Sequence, residues 1–395
     1  MIYLHEREEW WRFRYDTEAT EAIKMRLADV YKELDKLDRR IETMIDVMQN
    51  DLTLSSLSDE LVHSSAIEGE QLDLTQVRSS IARRLGIDTA GLIPSSRYVD
   101  GVVEMLLDAT QHYDAPLTRE RLFGWHAALF PTGYSGRYRI EVAQYRTSQM
   151  QVVSGPMGRE RVHYMAPAPD RLPTEMARFL AWVNAPAEGE DGVLKAAIAH
   201  LWFVSIHPFE DGNGRIARAI TDLLLSRAEG RPHRFYSMSS GIGKQKAKYY
   251  DVLERTQRGD GDITDWLDWF LTCLNDTIHN TWRKISDILE KHHFWQVHKE
   301  DAFNEQQREL ISRLFDGIEG KLTVAKWAKM AKYSCTKAEA DIEDLVSRGI
   351  LCEDRSTRHP SYTLTSIHKK EFVAYIKTLF NKDRWKRLGR KLSWK

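Results

Sequence analysis

Residues 193–225 read VLKAAIAHLWFVSIHPFEDGNGRIARAITDLLL, and this segment sets what kind of domain the chain builds. From Val193 to Ile206, the residues Leu194, Ala197, Ile198, Leu201, Trp202, Phe203 and Val204 cover nearly the whole circumference of a helix. A helix that is apolar on all sides belongs at the middle of a domain. Pro208 ends it, Gly212 and Gly214 follow, and a second helix is predicted from Arg215 to Leu225. Two helices joined by a tight loop at a domain centre imply a mainly α fold.

The neighbouring sequence keeps to that theme with one interruption. Residues 95–293 read as a compact helical bundle, except between Tyr145 and Pro169. There Gln151–Val153 and Arg161–Met165 are β-like runs on either side of Ser154-Gly155-Pro156, predicting a small hairpin over 149–165. Towards the N-terminus, residues 17–50 carry Ile23, Met25, Leu27, Val30, Tyr31, Leu34 and Leu37 at helical spacing. The pattern continues through residues 51–68 to Gly69, a helix stop, and a third helix spans Thr75–Leu85. The loop containing Pro94 sets the first expected boundary, giving domains over 1–94, 95–293 and 294–395. In the last of these, helices over 305–315, 323–330 and 336–347 precede short runs at Ile350–Cys352 and Tyr362–Leu364. Thr336 is the expected N-cap of the third helix. This is the order of a winged helix-turn-helix.

Composition narrows the partners. The 395 residues are 42% hydrophobic and carry a formal charge of −1, so net charge predicts neither a nucleic-acid nor a membrane partner. A basic tail, Lys382 to Lys395, holds seven Lys or Arg against the single acid Asp383. Cys273, Cys335 and Cys352 lie far apart, which argues against a disulfide framework or zinc ribbon and fits a reducing compartment. The charged, aromatic opening MIYLHEREEWWRFRYD lacks the apolar core of a signal peptide, and no run approaches the roughly 18 apolar residues of a membrane span. The expected location is cytoplasmic.

The segment from His207 to Arg218 concentrates chemistry. Its glycines let backbone approach a ligand, and the following helix start offers unpaired N–H groups and positive dipole, an anion site suited to polyphosphate. Arg215 and Arg218, three apart, both face one polyanion. Asp211 offers a hard oxygen ligand for Mg2+. His207, with an ordinary pKa near ~6.5, suits removal of a hydroxyl proton at neutral pH.

This segment matches the Fic-family motif HxFx(D/E)GNGRxxR at every defined position, and the chain resembles that family over roughly residues 1–290. The resemblance implies a mostly helical Fic fold and transfer of AMP from Mg-ATP to a Ser, Thr or Tyr hydroxyl of a protein. It further implies His207 as base and Asp211 as Mg2+ ligand. Asn213 and Arg215 are expected on the α- and β-phosphates, Gly212 and Gly214 in the anion hole, and Arg218 on the γ-phosphate. Phe209 is similar to the aromatic that anchors the loop to the core. The hairpin at 149–165 resembles the flap that aligns a protein target by strand pairing. Tyr249 and Tyr250, in a stretch similar to one lining the nucleotide pocket, are left as contact or core.

Upstream, Ser64-Ser65-Ala66-Ile67-Glu68-Gly69 resembles the family's inhibitory pattern (S/T)xxxE(G/N). Ser64 and Glu68 share a helical face and Gly69 ends the helix just beyond. The resemblance implies that Glu68 competes with the γ-phosphate for Arg218. Two rival functions stay open at this point: removal of AMP or transfer of another phosphate group by the same site, and a DNA-binding regulator with a nucleotide-sensing site. Against the second stand Glu339, Asp341, Glu343 and Asp344 on the expected recognition helix, which oppose phosphate approach. Arg355, Arg358, His359 and the basic tail keep DNA in view. Self-modification and a homodimer are further partners the sequence leaves open.

Overall fold

The computed structural model describes residues 2–365 apart from positions 16, 89–90, 156–158, 160, 187–190, 319, 355 and 357–359. The basic tail at 382–395 and the wing residues Arg355, Arg358 and His359 therefore lie outside the described residues. The fold is 63% helix with small antiparallel hairpins, as the apolar periodicity predicts. No described helix is long and apolar enough to cross a membrane. The chain divides into two compact units, residues 1–41 with 52–281, and residues 42–51 with 282–395.

In chain order the α-helices begin with α1 (Thr17–Ile41), α2 (Asp46–Ile67), α3 (Leu74–Leu85), α4 (Arg97–Gln111) and α5 (Arg119–Leu129). The hairpin β1 (Tyr134–Ser135) and β2 (Tyr138–Arg139) follows, then β3 (Gln151–Ser154) and β4 (Arg161–Met165). After them come α6 (Leu172–Asn184), α7 (Gly192–Ile206), α8 (Asn213–Glu229), α9 (Met238–Lys244), α10 (Lys246–Gln257) and α11 (Thr264–Val297). At the centre lies α7, buried from Val193 to Ile206 and capped by Asp191, whose carboxylate accepts from the N–H groups of Val193 and Leu194. Trp202, Phe203, Phe179, Trp266 and Phe270 are each at most 2% exposed around it. Burying side chains of that size is worth about 1.5–3 kcal/mol apiece, so the α7 segment anchors its unit.

Three expectations needed correction. The periodic pattern of residues 17–50 is not one helix: α1 stops at Ile41 and α2 starts at Asp46. Ile41, Met44, Met48 and Leu52 are all buried at intervals of three or four, so apolar spacing runs on through a break it does not mark. No boundary between compact units falls near residue 94, because the segment before it, residues 42–51 apart, packs with the bundle. Ser56, for example, donates from α2 to the Phe235 carbonyl at 2.7 Å.

The second unit carries α12 (Glu305–Asp316), α13 (Val324–Ala331) and α14 (Cys335–Ser347), then the antiparallel pair β5 (Leu351–Asp354) and β6 (Ser361–Leu364). Leu322 adds a bridge to Tyr362, and Trp327, Leu310, Ile311, Ile342 and Leu345 form the core. This is the element order expected of a winged helix. The third correction is its cap. Ser334, not Thr336, precedes α14 and accepts from Lys337 N–H, so the helix starts two residues earlier than the threonine suggests.

Candidate active site

The loop between α7 and α8 is held by bonds to its own backbone. His207 ends α7 in the left-handed region at φ 52°, a conformation few non-glycine residues adopt without support. Support comes from Arg146, which is 2% exposed. Its Nε donates to the His207 carbonyl at 2.8 Å and its own N–H to the Pro208 carbonyl at 2.9 Å. Its Nη1 and Nη2 reach the carbonyls of Ser148 and Pro167 at 2.8 and 2.6 Å, on both sides of the β3–β4 hairpin. One guanidinium thus ties the histidine to the base of that hairpin.

Asn213 closes the loop from within. Its Oδ1 accepts from Phe209 N–H at 3.0 Å, and its Nδ2 donates to the Phe209 carbonyl at 2.8 Å. Any contact of Asn213 with phosphate therefore rests on its backbone. The amide is buried and engaged, leaving its backbone N–H at the start of α8. Phe209 is fully buried and stacks on His126 with centroids 4.3 Å apart. His126 accepts from Ala143 N–H on Nδ1, so Nε2 carries the proton donated to the Asp211 carbonyl at 3.2 Å. Gly212 sits at φ 82°, and a Cβ there would come 2.9 Å from Phe130.

The side chains that carry charge are brought together as the spacing suggests. His207 Nδ1 lies 3.3 Å from the Val204 carbonyl, so Nδ1 holds the proton and Nε2 keeps its lone pair. Burial lowers its pKa to about 4, opposed by the Val204 contact and assisted by the positive charge of Arg146. At pH 7 the imidazole is neutral. Asp211, 40% exposed, accepts from the Ser135 hydroxyl and lies 3.6 Å from Arg215 Nη2.

Both arginines are buried to 2% exposure and both meet carboxylates. Arg218 donates through Nε to Ser64 Oγ at 2.8 Å, and through Nη2 to the Ser64 carbonyl at 2.9 Å and Glu68 Oε1 at 2.7 Å. Burial disfavours its charge, but Glu68 outweighs that and holds the Arg218 pKa above its ordinary value. Gly69, at φ 86°, turns the chain immediately after Glu68. Arg215 donates through Nη1 to Glu70 and to the Tyr98 hydroxyl, each at 2.8 Å. Arg218 Nη1 and Arg215 Nε are buried with no partner among the described residues. Unmatched buried donors of this kind are costly.

Residues 116–225 match the Fic/DOC family, and residues 3–87 match a domain of unknown function, DUF4172. The chain carries a Fic domain. It is 28% identical over 278 residues to Protein adenylyltransferase Fic of Aedes aegypti, covering 65% of this chain and 50% of that protein. The Drosophila melanogaster protein of the same name is 27% identical over 277 residues, with the same coverage. The chain thus spans about half the length of the curated relatives it matches. A crystal structure of a Fic family protein from Desulfovibrio desulfuricans G20 superposes with a TM-score of 0.51 at 20% identity, covering 90% of this chain and 98% of that one.

Within the Fic domain and the segment before it, four contributors escape sequence reasoning: Arg146, His126, Glu70 and Tyr98. Only Glu70 left a trace, as the next acid after the Glu68-Gly69 turn. Asp211 is suited to a nucleotide-borne Mg2+, which takes one or two carboxylates and otherwise phosphate and water. No group of three or more His, Cys, Asp or Glu suited to a metal occurs among the described residues. Tyr249 is core, 2% exposed with its hydroxyl 3.0 Å from His200, whereas Tyr250 is 39% exposed. The β3–β4 hairpin pairs only with itself among the described residues, and β4 is fastened to α10 through Glu254, which meets His163 at 2.6 Å and Arg161 at 2.9 Å.

Proposed function

We propose that this protein transfers AMP from ATP to a Ser, Thr or Tyr hydroxyl of a protein target, and that Glu68 holds the activity down. One observation carries the reading: the Glu68 carboxylate lies in the loop, on Arg218 and against Gly214, where a Cβ would be only 2.0 Å from Oε1. An anion of the chain already occupies an anion site. The names of the curated relatives agree with adenylyl transfer.

With Glu68 displaced, the N–H groups of Gly212, Asn213 and Gly214 and the α8 N-terminus receive phosphate oxygens. Arg215 takes the α- and β-phosphates and Arg218 the γ-phosphate. His207 accepts the target hydroxyl proton on Nε2 as that oxygen bonds to the α-phosphorus. The bond from the α-phosphorus to its bridging oxygen breaks, and pyrophosphate leaves. Asp211 is the residue that would hold Mg2+, which supplies charge neutralisation to the phosphates. The outer edge of β3, with Val153 47% exposed, offers main-chain pairing to a target segment. With Glu68 on Arg218, ATP loses its γ-phosphate partner, and misplacement by ~1 Å costs on the order of 10²-fold in rate.

The test uses ATP labelled at the α-phosphate, cell extract, and mass spectrometry of the labelled proteins. Glu68→Gly is expected to raise AMP incorporation by roughly 10²-fold. Adding His207→Ala to it is expected to abolish incorporation. Equal labelling by the unaltered chain and Glu68→Gly overturns the brake, and label that survives His207→Ala overturns the base.

A further inference from the structure

Two carboxylates two positions apart, Glu68 and Glu70, meet the two motif arginines in different ways. Glu68 intrudes on the loop at Gly214. Glu70 instead meets Arg215, at Nη1. Its side chain is 37% exposed and lines a cavity with Tyr98, Phe130 and Ser135. There it accepts from Arg215 Nη1 and from the Tyr98 hydroxyl, while that hydroxyl accepts from the same Nη1. The three groups form a closed ring of hydrogen bonds that engages one nitrogen of Arg215.

The rest of the guanidinium is left over. Nε has no partner among the described residues, and Nη2 stands 3.6 Å from Asp211, beyond hydrogen-bond length. Its Cζ lies 5.0 Å from the centroid of the Phe130 ring. Arg215 therefore sits between two carboxylates and leans on the one that is not in the loop. Were Glu70 absent, Asp211 would be the nearest remaining anion. An Arg215–Asp211 pair would then withdraw a phosphate donor and the metal-binding carboxylate together.

We propose that Glu70 and Tyr98 are positioning residues that grip Arg215 by Nη1, keep it off Asp211, and present its Nη2 and Nε to the phosphates of ATP. This assignment rests on the adenylyl-transfer reading above and deepens it. It separates two neighbouring acids by function: Glu68 blocks the site and Glu70 builds it. Simple electrostatics gives the opposite sign, because removing a negative charge beside a triphosphate site strengthens binding.

The experiment is calorimetric titration of ATP into the full chain carrying Glu68→Gly, with and without Glu70→Gln or Tyr98→Phe. The Kd for ATP is expected to rise about tenfold with Glu70→Gln, the scale of one lost charge-assisted hydrogen bond, and less with Tyr98→Phe. In an Arg215→Ala background, neither change is expected to weaken binding further, a result that a merely structural role does not produce. Melting temperatures report folding; both variants keep side-chain volume. Binding that Glu70→Gln tightens or leaves unchanged overturns the assignment, as does an equal loss in the Arg215→Ala background. Absence of ATP binding in Glu68→Gly itself overturns the functional reading as well.

Discussion

The anion loop at 207–218 and the turn that faces it at 64–70 carry opposite charges but are held in opposite ways. The loop is fixed by bonds to its own backbone from within the Fic domain: Asn213 to Phe209, His126 to the Asp211 carbonyl, Arg146 to the His207 carbonyl. None of these depends on the turn. The turn meets the loop's arginines through Ser64, Glu68 and Glu70. A bound polyanion competes directly with the Glu68 contact on Arg218 and with none of the loop's own. The site is thus pre-organised on one side and displaceable on the other, the arrangement an inhibited enzyme requires.

The sharpest way to break this contrast is to loosen the loop. Arg146→Lys cannot reproduce a planar fork reaching three carbonyls, and it leaves at least one buried carbonyl unmatched at about 1–3 kcal/mol each. Thermal denaturation is expected to show a loss of roughly 2–4 kcal/mol, from one or two such carbonyls. AMP incorporation in the Glu68→Gly background is expected to fall by roughly 10²-fold as His207 shifts. If incorporation survives while stability drops, Arg146 supports the hairpin and not the histidine.

How much of this was visible beforehand follows from where the residues sit in the chain. His207, Asp211, Gly212, Gly214, Arg215 and Arg218 lie within twelve positions, so local spacing alone gathers them. Their partners are distant. Arg146 acts on carbonyls, which leave no signature in side-chain sequence, and Tyr98 meets Arg215 across 117 positions. Asn213 is expected on the phosphates from the motif, but residue type does not tell a contact through the side chain from one through the backbone N–H. In α14 the same limit appears. Asp341 accepts from Asn304 at 2.7 Å and Asp344, though exposed, from Gln307 at 2.8 Å, so two of the four acids set against DNA are already engaged by α12 and its cap. Counting charges on a helix does not reveal which of them face outward.

Acid should separate the loop's unit from its titrating surface by a smaller but cumulative effect. Burial lowers the pKa values of His5, His126 and His207 to about 4, and that of His200 to about 3. Each is neutral in the folded protein and takes up a proton more readily when unfolded, near ~6.5. Their contribution is complete above that pH and is lost progressively as pH falls towards 4. Denaturation midpoints are expected to drop steadily as pH falls below 6.5. A midpoint unchanged at pH 5 would mean that these rings are more hydrated than their packing implies.

The smallest expected effect tests whether the turn's grip resides in its carboxylate. Ser64→Ala removes the Oγ that accepts from Arg218 Nε at 2.8 Å but leaves the Ser64 carbonyl and Glu68 on Nη2. One hydrogen bond from a charged donor is worth about 1–2 kcal/mol, so the brake should weaken by roughly five- to thirtyfold. AMP incorporation should fall between the unaltered chain and Glu68→Gly. Incorporation equal to Glu68→Gly would transfer the hold to the serine. A decrease would give Ser64 the part assigned here to Glu70, that of aiming an arginine, since freeing Arg218 would then cost phosphate binding more than it relieves inhibition.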